Sequence, residues 1–181
     1  MSNLICTLTG DQYRAACACR ASKDVRYYLD SIFISSEHKE LVATNGHILY
    51  TSPIDDLPDD CKDLIIDAAK IPANVESVTI SQFDDHNVMV ETITRSGVAG
   101  PQFVCKLIDA KYPDYKAIKL SEPGEKTACN EFCFAAEYLA LIQRVFGKIP
   151  VRFRMNDPKR PALISTKDPQ AGTLLLMPCV L

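Results

Sequence analysis

The chain of 181 residues is 47% hydrophobic and 24% charged, the composition of an ordinary globular protein rather than a disordered or fibrous one. That length allows one or two domains and excludes a large multidomain enzyme. Its 20 Lys and Arg against 23 Asp and Glu leave a net charge of −3, which excludes a protein that grips nucleic acid through a broadly basic surface. No apolar run reaches the roughly 18–20 residues of a membrane span, and Met1-Ser2-Asn3-Leu4 lacks the features of a signal peptide, so a cytoplasmic location is expected.

Leu4 to Thr9 alternates as a strand does, Gly10-Asp11 offers a helix start, and Gln12 to Ala21 carries Tyr13, Ala16, Cys17 and Arg20 at helical spacing. Strands follow around Val25 to Ile34, Leu41 to Thr44 and His47 to Tyr50, with Asn45-Gly46 as a tight turn. Pro53 to Asp60, with two prolines and four aspartates, reads as a linker. The order then repeats. Leu64 to Ala68 is a strand, Ala69 to about Glu76 a short helix with Pro72 in its first turn, and Ser77–Ser81, Asn87–Thr94 and Gln102–Ile108 three more strands.

A second linker spans Ser121 to Lys126. Glu131 to Phe134 is strand-like, and Ala135 to Gly147 is an amphipathic helix presenting Tyr138, Leu139, Ile142, Val145 and Phe146, with Gly147 as its cap. Val151–Met155, Pro161–Ser165 and Thr173–Met177 complete a third trio of strands, with a turn at Asn156-Asp157-Pro158. The chain is thus three βαβββ units with a period near sixty residues. Two units together make a two-layer domain, so the third is expected to find its partner in another chain.

The eight cysteines sit mostly in apolar runs, as buried reduced thiols do. Cys17-x-Cys19 and Cys129-x3-Cys133 are not zinc-ribbon spacings, and His38, His47 and His86 complete no ligand set with them, so no metal and no cofactor are expected.

Four stretches in order carry a resemblance: Asp24-Val25-Arg26-Tyr27-Tyr28-Leu29, Leu41-Val42-Ala43-Thr44-Asn45-Gly46-His47, Lys106-Leu107-Ile108-Asp109-Ala110-Lys111-Tyr112-Pro113-Asp114-Tyr115, and the terminal Leu176-Met177-Pro178-Cys179-Val180-Leu181. Together they resemble the bacterial DNA polymerase III β sliding clamp family, over essentially the whole chain. The resemblance implies an α+β fold of three half-domain units, with helices inside and antiparallel sheets outside. Residues 1–120 would be a complete clamp domain (units of about 1–57 and 58–120) similar to the family's second domain, and 121–181 the second half of its third domain. Nothing matches the family's first domain or the first half of its third, so a shortened clamp encoded by a bacteriophage is expected. Twelve half-domains close the family's ring. Three per chain imply a homotetramer, closed either head to tail or by isologous contacts between third units.

The resemblance also implies a function: a non-enzymatic processivity factor that encircles duplex DNA and tethers a polymerase, with a clamp loader to open the ring. The near-neutral charge suits a ring that slides, because a few basic groups on inner helices attract phosphates without reading sequence. Arg14, Arg20 and Lys23, with Arg144 and Lys148, are the candidates for DNA contact, and the second helix offers only Lys70. The family's apolar pocket for short partner motifs would be lined by Leu29, Thr44, Gly46, His47, Leu49, Pro113 and Ile118, completed by Pro161, Leu175 and Met177. Ile48 and Ala117 stand where the family usually has basic residues, which implies a different motif preference.

Two alternatives remain open from sequence. A clamp-like decoy would capture host clamp-binding motifs without forming a ring. A thiol-dependent enzyme would pair His47 with Cys17 or Cys19, although no GxSxG, HExxH or P-loop accompanies them.

Overall fold

A computed structural model of the chain describes residues 3–118, 132–155, 157 and 159–179. The fold is α+β, and every strand pair is antiparallel. Strand β1 (Leu4–Thr9) runs into helix α1 (Gly10–Cys19) through a capping box. The Thr9 hydroxyl accepts from the Gln12 N–H at 3.1 Å, and Gln12 Oε1 accepts from the Thr9 N–H at 2.8 Å, which satisfies donors a helix start otherwise leaves bare. Strands β2 (Ile32–Ser35), β3 (Glu40–Thr44) and β4 (Ile48–Pro53) form the first trio. Strand β5 (Leu64–Ile66) is followed by the second trio, β6 (Val75–Gln82), β7 (Asn87–Thr94) and β8 (Phe103–Lys106). Helix α2 (Ala136–Phe146) precedes the third, β9 (Arg152–Arg154), β10 (Ala162–Ser165) and β11 (Thr173–Leu176).

The first two units exchange their leading strands. β5 pairs with β2 and β1 with β6, giving one sheet in the order β1-β6-β7-β8 and another that begins β5-β2-β3-β4. The third unit is joined to this body through its last strand, because β11 pairs with β4 and extends the second sheet to seven strands, ending β11-β10-β9. Alternation along the strands splits their side chains between two layers. Ile32, Ile34, Leu41, Ala43, Ile48, Tyr50, Leu174 and Leu176 turn inward, into the main core with α1 and with Ile142 and Phe146 of α2. Phe33, Val42, Leu49 and Ile65 turn outward, where Leu29, Tyr112 and Tyr115 cover them.

Several sequence expectations change here. The strand expected from Val25 begins only at Ile32, because Tyr27–Asp30 is a 3-10 helical turn. No helix forms over residues 69–76, which run from β5 to β6 without one. The carbonyls that would accept helical bonds there are taken by side chains of α1 and its C-cap: Arg20 donates to Ala68 O, the Tyr13 hydroxyl to Ala69 O, and Arg14 to Pro72 O and Val75 O. Pro72 itself has no N–H to give. The stretch after Pro53 is more than a linker, since Ile54 and Leu57 are buried in the main core. On α2, Leu141 joins Tyr138, Ile142, Val145 and Phe146 against the core, whereas Leu139 lies outside that face and is exposed. The linker at 121–126 lies outside the described residues.

Candidate functional site

The junction of β4 with β11 brings together residues more than 120 positions apart. Leu49 faces Leu175 and Ile48 faces Leu176 across the ladder, and the Met177 N–H donates to the His47 carbonyl at 2.9 Å. Opposed residues of an antiparallel pair share a face, so Leu49, Leu175 and Leu163, which faces Leu175 from β10, form an outward stripe. Leu29 sits in the same outer cluster as Leu49, with Leu175 packed against it. Pro161 is buried one residue before the Ala162–Leu176 pair, which places it opposite Met177. Ile48, the first departure from the family pattern, is on the other face, inside the main core.

The turn joining β3 to β4 is built from its own side chains. The Thr44 hydroxyl donates to Ile48 O and accepts from the Gly46 N–H, while Asn45 Oδ1 accepts from the amides of His47 and Ile48. Gly46 holds φ +91, with the Arg26 guanidinium 3.2 Å from where a β-carbon would stand. Only glycine adopts that backbone at no steric cost. His47 therefore projects, exposed, beside Tyr138 of α2, the ring centroids 6.4 Å apart. Tyr112 and Tyr115 fasten the segment carrying Pro113 and Ile118: Tyr112 stacks on Phe33 at 4.5 Å, and the Tyr115 hydroxyl donates to Glu40, which also pairs with Lys116. Pro113 and Ile118 are exposed on that segment.

The ten candidates thus divide by exposure. Leu29, Leu49 and Pro161 are buried, Thr44 and Leu175 half-buried, and Gly46, His47, Pro113, Ile118 and Met177 open to solvent. The first group is packed inside and the last is reachable from solvent. Leu163 was missed, although its hairpin spacing from Leu175 places it on the same stripe.

The five basic candidates divide too. Arg14 is held by two backbone carbonyls and by Asp11 at 2.6 Å, and Arg20 by Ala68 O. Both fasten the segment after β5 to α1. Lys23, Arg144 and Lys148 are exposed and make no ion pair among the described residues. Arg144 lines a cleft of about 440 Å³ between the start of α1 and the end of α2, which Arg95 also reaches. Arg95 is not among the sequence candidates, because it lies on the turn after β7, distant along the chain from either helix that it approaches in space.

Cys17 and Cys19, the thiols paired with His47 in the sequence alternative, sit in the interior with α1. Burial pushes Cys17 up to about 11 and Cys19 up to about 12, away from the thiolate a nucleophile needs. No disulfide joins the seven described cysteines, and among the described residues no three His, Cys, Asp or Glu side chains cluster as a metal site. No described helix is long and apolar enough to cross a membrane.

Paired half-units with exchanged leading strands, helices against one face and a second apolar cluster on the other, give the DNA sliding-clamp fold. Comparison with solved structures gives the same class. The chain is similar to a DNA polymerase sliding clamp from Pseudomonas aeruginosa determined with a ligand, at 18% identity and TM-score 0.64, over 100% of this chain and 67% of that one. It is also similar to the DNA polymerase III β subunit of Pseudomonas aeruginosa, at 20% identity and TM-score 0.66, over 97% and 66% of the two chains. The β subunit of Borrelia burgdorferi in complex with a natural product matches at 16% identity and TM-score 0.66, over 97% and 64%. The chain therefore spans about two thirds of the length of these clamps. No protein-family profile matches the sequence, and no curated protein matches it either.

Proposed function

We propose that this protein is a sliding clamp: a non-enzymatic processivity factor that encircles duplex DNA and tethers a polymerase by a short motif seated on the β4/β11 junction. The observation that carries this reading is the junction itself, an outward apolar stripe of Leu49, Leu175 and Leu163 flanked by His47 and Met177, which lie 130 residues apart in the chain. A peptide motif needs such a floor of fixed apolar side chains with a few accessible groups around it. In this reading residues 1–120 act as one clamp domain and 121–181 as half of another, so four chains supply the twelve half-units of a ring that a loader opens on DNA.

Retention on DNA tests the encirclement. The protein should stay on nicked circular DNA and be lost when the circle is linearised, and equal retention on both would end the ring assignment. Binding of a polymerase-derived peptide tests the pocket. Met177→Ala and His47→Ala should each weaken it by about fivefold or more, on the order of 1 kcal/mol, with the oligomeric mass unchanged because both side chains are exposed. Leu29→Ala is the wrong probe, since that side chain is buried and its loss reports on stability. One observation favours the decoy reading: with no helix in the second unit, the inner layer has one helix fewer than three full units would supply. A protein that binds the peptide but is never retained on circular DNA is that decoy.

A further inference from the structure

Each of the first two trios has its leading strand covered by the first strand of the other unit, β5 on β2 and β1 on β6. The inward residues of those covered strands, Ile32 and Ile34 on β2 and Val78 and Ile80 on β6, are 0% exposed. The third trio repeats the order β9-β10-β11, but β9 has no strand on its outer edge among the described residues, and all three of its residues are exposed. Phe153 faces the inward residue Ile164, so it lies on the inner layer as Ile32 does, yet it is 46% exposed. The same unit leaves Phe132 and Leu139 60% and 53% exposed.

The unit's own first strand is equally unused. Residues 132–134 make a single bridge, from Cys133 to Cys179, and lie on no trio's leading edge. Aligning the helix N-caps Thr9 and Ala135 puts Phe132 and Phe134 in the places of Cys6 and Leu8, which are buried, and Cys133 in that of exposed Thr7. The leading edges of both other trios are already filled, so nothing further in the described chain can cover β9.

We propose that a second copy of the chain does so: residues 132–134 of each copy pair antiparallel along β9 of the other, about a two-fold axis. The exchange seen between the first two units is thereby repeated between two third units, and each copy closes the other's open edge. Phe153 then packs under the partner's Phe132 and Phe134 in place of water. Arg152 and Arg154, facing Ser165 and Leu163, stand on the outer face of each copy. Residues 132–179 carry seven Lys and Arg against three Asp and Glu, so two third units repel when brought together; salt screens charges beyond about 8 Å at physiological strength, so this contact strengthens with salt, the opposite of binding to DNA. The pairing stands whether or not the assembly encloses DNA.

Sedimentation equilibrium of the full chain, at low and high salt, tests it. The expected result is an even-numbered assembly, favoured by salt, whose mass halves in Phe153→Asp while the circular dichroism spectrum is unchanged. A monomer at every concentration, an odd-numbered assembly, or a folded Phe153→Asp of unaltered mass overturns the proposal. Should that variant fail to fold, oxidation of Arg152→Cys and Arg154→Cys decides. At least one should give a covalent dimer through the partner's Cys133 that disappears when Cys133→Ser is added, and no Cys133-dependent dimer from either refutes the pairing.

Discussion

Arg14 and Arg20 look alike in the sequence, two basic residues in and just after one helix, and an inner helix carrying them suggests phosphate contact. Their guanidinium groups instead donate to the carbonyls of Pro72, Val75 and Ala68. A planar fork of donors suits that task and an ammonium does not. Arg14→Ala should take the side-chain donor from Val75 O, while Pro72 O keeps the Val75 N–H, and cost about 1 kcal/mol, read as a lower urea midpoint that Arg14→Lys does not restore. A midpoint equal to that of the parent would return Arg14 to the DNA-contact set. The buried thiols and phenols make a second residue-scale prediction. Burial raises Cys17 and Cys19 from the ordinary 9.0 to about 11 and 12, and raises Tyr13 and Tyr50 above the ordinary 10.0. The unfolded chain releases these protons first, so their contribution to stability is level from neutral pH to about pH 9 and is lost from there toward about pH 12. Thermal melts from neutral pH to pH 10.5 should show a constant Tm and then a decline, and a Tm level throughout would contradict the burial of these groups.

At the scale of elements, the approach of β11 to β4 depends on Gly172. It holds φ +78, and a β-carbon there would stand 2.5 Å from the Thr51 carbonyl and 2.8 Å from the Tyr50 ring. Gly172→Ala combines an unfavourable backbone with a clash, at about 1–3 kcal/mol. It should lower the melting temperature and weaken peptide binding together, because the same ladder aligns Leu49 with Leu175. Loss of stability with peptide affinity intact would show that the motif does not use this junction. The capping box of α1 was written in Thr9-Gly10-Asp11-Gln12, but its reach was not. The Gln12 amide also donates to the Ser52 hydroxyl at 2.9 Å and to Pro53 O at 3.1 Å, which locks the helix start to the end of β4.

At the scale of the whole molecule, charge is divided along the chain. Residues 3–118 carry 11 Lys and Arg against 17 Asp and Glu, and residues 132–179 carry seven against three. The net charge of −3 hides this split. DNA attraction should therefore map to the third unit, where Arg144 and Lys148 are exposed, rather than to α1. Each phosphate contact contributes about −0.9 to the slope of log K against log salt. Arg144→Glu with Lys148→Glu should flatten that slope and reduce retention on every template alike, with peptide binding unchanged. A loss confined to one DNA sequence, or a slope that does not move, would place the contacts elsewhere.

Alternation and turn chemistry were enough to read most of the strands, because a period of two and an Asn45-Gly46 turn are local properties of the chain. Helix α2 and its Gly147 cap were legible for the same reason: its apolar residues recur at helical spacing. The helix expected at 69–76 failed because its carbonyls are taken by side chains 48 to 61 residues away, which no local pattern records. Four motifs in order pointed to the clamp fold, but the partnering of the units was a matter of tertiary structure. The third unit joins the body through β11 on β4 rather than standing apart, since pairing there buries Leu174 and Leu176 and satisfies a whole edge of backbone groups. Which candidates are buried and which are reachable was likewise decided only by packing: Leu29 and Met177 are both apolar in sequence, and the fold buries one and exposes the other.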